Sequence, residues 1–220
     1  MTPDHPLTAD ASQLLLLLNW MSPTFPIGSF AYSHGTEQAI ADGRLKSEAD
    51  VTRWIGDLLE RGSGWNDAVL FARCWDEDPS SLNETALALS GSAERYLETT
   101  HLGRAFSIAA AVWTGAEKSD AAIAYPVAAG KVCRDFGLPR DMALVAFLQG
   151  FAAALVSVAV RLVPLGQTHG LAVLRTLSPV ISAVARRAAT ASLDDLGSAT
   201  ILSDLAAMQH EQLQPRIFRT

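Results

Sequence analysis

The chain has 220 residues, of which 49% are apolar and only 18% charged, with a net charge of −6. That length fits one core of ordinary size, and a charged share below the usual ~25% calls for surface that is apolar, small or covered by another subunit. No Lys/Arg run extends beyond Arg186-Arg187, so the basic footprint of a nucleic-acid or anionic-lipid binder is missing.

In chain order, Leu14 to Leu18 come first. The first Lys or Arg is Arg44, so these leucines lack the basic region of a signal peptide, and a cytoplasmic protein is expected. Cys74 and Cys133 stand in no C-x-x-C arrangement and read as buried thiols of a reducing compartment. Next comes Ser22 to Glu37, with two prolines, two glycines and three aromatic rings. Prolines fix φ and glycines admit turns that other residues resist, so this is a shaped loop. Pro23, Pro26, Gly28 and Gly35 set its form. Phe25, Ile27, Phe30 and Tyr32 either plug the core beneath the loop or face a partner.

Helical spacing governs the remainder. Val51, Trp54, Ile55, Leu58 and Leu59 follow the i, i+3, i+4, i+7, i+8 rule, behind a Ser47-x-x-Asp50 capping box. Trp65, Val69, Ala72 and Trp75 repeat the pattern after Gly62-Ser63-Gly64. Gly115 to Ala124 is a weak interval that reads as a loop. Gly137-Leu138-Pro139 has the form of one helix ending and another beginning. From Met142 to Val160 only Gln149 and Ser157 are polar. Charged residues flank this run, and Ala and Gly dominate it, so a buried central helix is expected rather than a membrane span. Leu174, Leu177, Ile181 and Val184 form a last stripe, with Pro179 inside predicting a kink or a split. The fold expected is all-α, a single-domain bundle of roughly eight to ten helices over residues 1–220. Residues 213–220 form a tail that leaves the helical pattern at Pro215.

Catalytic signatures are scarce. Gly130-Lys131 echoes a phosphate loop, but Tyr125 replaces its first glycine and Val132 its Ser/Thr. In Gly62-Ser63-Gly64 the last glycine of the dinucleotide pattern is Asp67. Five histidines, His5, His34, His101, His169 and His210, show no ligand spacing with another His or Cys. His34 and Glu37 are placed to share a helical face at i, i+3, yet they close no metal site alone. No catalytic residue and no tightly bound metal is assigned. The alternative is a helical enzyme with a dispersed site around His34, Glu37 and His169.

Three segments, "SPTFPIGSFAYSHGTE", "RLVPLGQTHG" and "HEQLQPRIFRT", together resemble the urease accessory protein F family, UreF, in the same order along nearly the whole chain. Mild departures are Thr36 and Leu171, where the family more often carries an apolar residue and a Gln, and the terminal Ile217-Phe218-Arg219-Thr220. The resemblance implies an all-α, non-catalytic adaptor. It implies a complex with UreD (also called UreH) and the GTPase UreG that inserts nickel into apo-urease at the expense of GTP. It further implies a homodimer, modulation of the UreG GTPase, and nickel handled only transiently. On that basis the partner-binding candidates are Phe25, Phe30, Tyr32, His34, Glu37, Arg161, Gln167, Arg216, Ile217, Phe218 and Arg219. Arg161 and Gln167 have a second reading as the end of the apolar helix and the turn at Gly166. The tail, 213–220, is expected to become ordered only on UreD.

Overall fold

The computed structural model describes residues 11–22, 24–116 and 121–219. Among them ten α-helices follow one another and no strand occurs. These are α1 (Ala11–Trp20), α2 (Thr36–Ala41), α3 (Glu48–Arg61), α4 (Ser63–Arg73), α5 (Pro79–Ala88), α6 (Ala93–Thr114), α7 (Tyr125–Asp135), α8 (Arg140–Leu162), α9 (Gln167–Thr190) and α10 (Ile201–His210). Short 3-10 turns cover Ser29–Ala31 and Leu193–Asp195. The all-α expectation therefore holds. Pro23 and residues 117–120, within the loop expected from Gly115 to Ala124, lie outside the described residues.

The apolar run becomes α8, and its position explains its composition. α9, α3, α4, α2, α7 and α1 all pack on it. Ala143, Leu144, Phe147, Leu148, Ala152, Leu155, Val156, Val158 and Ala159 are buried along its length. A helix surrounded by others has no face to leave polar. Among the described residues it is the one helix long and apolar enough to cross a membrane, and just over half of that stretch is buried inside the protein.

The predicted boundaries rest on recognisable local chemistry. Ser47 accepts from the Asp50 amide while the Asp50 carboxylate accepts from Ser47 N, which starts α3. α7 stops at Gly137, whose φ of 64° is left-handed. There Leu138 N reaches back to Cys133 O and Gly137 N to Arg134 O, at 3.0 and 2.8 Å. α9 runs unbroken through Pro179, so the split does not occur. Pro179 lies on the exposed face, where water can serve the carbonyl left without its helical donor.

Gly130, the glycine of the false phosphate loop, has a packing role. A Cβ there would sit 2.6 Å from Phe71 O, so its absence lets α7 close against α4. Lys131 pairs instead with Asp135, at 2.7 Å. Cys74 and Cys133 are buried free thiols. Burial pushes Cys74 up to about 12 and raises Cys133 as well, which leaves both unreactive in the folded chain.

Replacing the fully buried Leu148 by Ala should cost about 2–5 kcal/mol in chemical denaturation, from lost transfer energy plus a cavity. The same change at exposed Leu15 should stay within about 0.5 kcal/mol. Equal losses at the two sites would contradict the assignment of α8 as the centre of the core.

Candidate functional site

The shaped loop, the start of α6 and the tail meet at two buried charge networks. The first is built on Glu37, in the first turn of α2. Its Oε2 accepts from Phe218 N at 2.9 Å and from His210 Nε2 at 2.9 Å, and its Oε1 accepts from Ile217 N at 2.8 Å. The other nitrogen of His210 donates to Glu94 Oε2 at 2.8 Å, and Arg216 pairs with the second Glu94 oxygen. Both carboxylates thus hold donors of other origin, two backbone amides for Glu37 and a guanidinium for Glu94. A carboxylate only accepts, so the fully buried His210 ring donates from both nitrogens and is an imidazolium. Two acids and two cations balance within this cluster, as buried charges require.

Loop backbone puts Glu37 there. Gly28 and Gly35 have φ of 78° and 73°, and Gly35 begins α2. At Gly35 a Cβ would lie 2.8 Å from Ala207 N and 2.9 Å from Ser203 O, so the loop can approach α10 only through a glycine. His34 also has positive φ, 50°, a sparsely populated state that persists where neighbours over-determine it. It precedes the helix, so His34 and Glu37 share no helical face. That expectation is corrected, and the two residues enter different networks.

The second network holds His34. Its Nε2 donates to Glu98 Oε1 at 2.8 Å, its Nδ1 lies 3.2 Å from Ser63 Oγ, and its ring meets Phe151 edge-on. Arg95 donates to Glu98 Oε2 at 2.6 Å and lies 3.8 Å from Asp67. Burial alone would push the Glu98 carboxyl up, but the Arg95 and His34 charges and hydrogen bonds outweigh it and bring it to about 2. Asp67 goes the other way, raised by burial against the pull of Arg95 and His34. His34, Asp67, Arg95 and Thr99 lie between two cavities, of about 50 and 250 Å³. The smaller is also walled by Trp20, whose buried Nε1 has no hydrogen-bond partner.

Several sequence-chosen residues point inward, contrary to the partner-facing expectation. Phe25 is a plug against Phe106 and Trp113, with ring centroids 5.4 and 6.2 Å away. Tyr32 is buried, and burial raises its hydroxyl against a hydrogen bond from Arg219. Phe30 is half-buried at the smaller cavity. The tail differs most from expectation, because it is ordered on its own chain. Phe218 is 4% exposed and Arg219 N donates to Ala31 O at 2.7 Å, while the adjacent Ile217 is 74% exposed. Arg161, Gln167 and His169 lie on the surface around the α8–α9 turn. Gly166 caps the N-terminus of α9, and Gln167 opens that helix. His34, Glu37 and His169 are not brought together as a catalytic constellation. Among the described residues no three His, Cys, Asp or Glu side chains converge on a metal position. In the first network the reason is geometric, since His210 holds its two acids on opposite sides of one ring.

A model of the UreF family matches residues 45–178. The chain is 44% identical to urease accessory protein UreF 1 of Brucella abortus over 228 aligned positions, covering all of both proteins. It is 46% identical to the UreF proteins of Cereibacter sphaeroides, over 96% of this chain and all of that one, and of Agrobacterium fabrum, over 94% and 96%. The chain belongs to the UreF family. These full-length likenesses extend over the loop and tail that the family model leaves out.

Within this UreF-family chain, the departure at Thr36 has a local reason: its buried hydroxyl accepts from Trp54 Nε1 at 3.2 Å. Sequence reading missed Glu94, Arg95, Glu98 and Asp67, and it placed His210 with its neighbour Glu211. Glu211 instead accepts from Ala93 N at the start of α6. The available signal was a helix beginning Glu94-Arg95-x-x-Glu98, where i, i+3 charges suggest a solvated face.

Glu98→Gln should destabilise the chain at neutral pH by about 3–5 kcal/mol, because it leaves Arg95 and His34 buried without their carboxylate. The folded-state value lies below the ordinary 4.5, so the carboxylate's contribution is complete above about 4.5 and drains as pH falls through about 2. Denaturation curves of the variant should therefore be flatter than the parent's across that acid window. Parallel curves would refute the pairing.

Proposed function

We propose that this chain is a non-catalytic adaptor of urease maturation. With UreD (UreH) and the GTPase UreG it forms the complex that inserts nickel into apo-urease, and it modulates GTP hydrolysis by UreG. It works in the cytoplasm as a homodimer, with no tightly bound cofactor, and nickel passes through the complex transiently. Family membership supports this reading.

The observation that carries the docking role is the division of labour within the tail. Phe218 holds the tail to the chain, and Ile217 stands outward between Arg216 and Arg219. An exposed apolar side chain framed by two exposed guanidiniums suits a partner that supplies an apolar pocket with an acidic rim. We assign that pocket to UreD. Exposed Leu14, Leu15 and Leu18 of α1 border an open groove that reaches Val145 of α8. This apolar surface supports pairing between copies and accounts for the low charged fraction.

Burying one large aliphatic side chain is worth about 1.5–3 kcal/mol, and 1.4 kcal/mol is about tenfold in affinity. Ile217→Asp should therefore weaken UreD binding by about ten- to hundredfold in calorimetry, with thermal unfolding of the isolated chain unchanged. Undiminished affinity would remove the tail from the interface. Separately, the isolated chain should bind nickel more weakly than micromolar, because no ligand cluster is prebuilt. Stoichiometric sub-micromolar uptake in equilibrium dialysis would contradict transient handling.

A further inference from the structure

We infer that residues 216–219 are an intramolecular strap that fixes the 28–37 segment and, through it, the seat of His34 between the two cavities. The strap ties the segment at both ends. Arg219 N bonds Ala31 O at 2.7 Å, and the Arg219 guanidinium bonds the Tyr32 hydroxyl. Ile217 N and Phe218 N bond the Glu37 carboxylate. Between these anchor points lie His34, in its left-handed conformation, and Gly35, pressed on α10.

The same helix α10 carries His210, which joins Glu37 to Glu94. Tail, loop and α10 therefore form one hydrogen-bonded body. Withdrawing the tail removes two of the three donors on the Glu37 carboxylate and the cation opposite Glu94. The left-handed His34 then keeps its bonds to Glu98 and Ser63 but loses the fixed backbone on either side. A local structure held by many neighbours relaxes when several leave together. The cavity border is thereby made conditional on the position of the chain's last residues. A partner that draws the tail away by Ile217 would loosen that border from the opposite side of α2. The strap itself needs no partner and is tested on the isolated chain, so its failure is separate from failure of the UreD assignment.

The experiment is hydrogen exchange on the full chain and on a chain ending at Pro215. The strap's bonds end on acceptors, Ala31 O and the Glu37 carboxylate. Exchange at the Ala31, Tyr32, Thr36 and Glu37 amides therefore reports the conformation of the segment and not loss of a direct bond to the tail. Truncation should accelerate these four amides at least tenfold and leave those of α8 unchanged. Glu37→Gln in the full-length chain tests the same contact without shortening it, because one amide oxygen cannot serve Ile217, Phe218 and His210 together. The same four amides should again exchange faster. Coupling between two sites is reciprocal, so Ser63→Ala, which removes a His34 partner, should speed release of the last residues by carboxypeptidase Y at least threefold. Unchanged amide rates in both variants, or unchanged release in Ser63→Ala, would overturn the strap.

Discussion

One carboxylate, that of Glu37, takes three hydrogens at once, from an imidazolium and from two consecutive backbone amides of the chain's end. Each bond serves a different part of the molecule. His210 brings α10, the amides bring the tail, and Glu37 itself closes the loop that opens α2. An unpartnered carboxylate in that interior would be costly, so the three elements assemble together or leave a buried charge exposed to nothing. Such all-or-none satisfaction gives a single arrangement where apolar packing alone would tolerate several.

The second network follows the same logic on the other side of the loop. Arg95 and His34 share the two oxygens of Glu98, and Ser63 occupies the remaining His34 nitrogen. Buried ion pairs contribute little net stability relative to apolar replacements, yet breaking one is expensive. In this fold they fix register. α6 carries Glu94 for one network and Arg95 with Glu98 for the other, so a single helical turn sets both the tail and the loop. Around this polar seam lies an apolar body organised by α8, which supplies the bulk of the stability.

Legibility in the sequence followed the range of the interactions. The α3 capping box, the Gly137 stop and the apolar run of α8 depend on neighbours within a few positions, and the residue pattern declared them. The motif loop was also visible, because prolines and glycines constrain backbone locally. What stayed hidden was the direction of its side chains. Phe25 and Tyr32 look like interface anchors by type, but only the position of α6, some eighty residues on, turns them inward. His210 and Glu37 lie 173 positions apart, and no spacing rule spans that distance. The tail was misjudged for a related reason. Two basic and two apolar residues at a chain end suggest an adhesive segment, and nothing local says that a carboxylate near the other end of the chain receives its backbone.

Ile217 and Phe218 are neighbours in the chain with opposite surroundings, one outward and one 4% exposed. Substitutions at the two positions answer to different selective pressures. A change at 218 must be compensated within this gene, at the loop or at α10, whereas a change at 217 can be compensated in the gene of another protein. A single peptide bond thus separates a residue whose history is written inside the chain from one whose history is shared with whatever the chain meets.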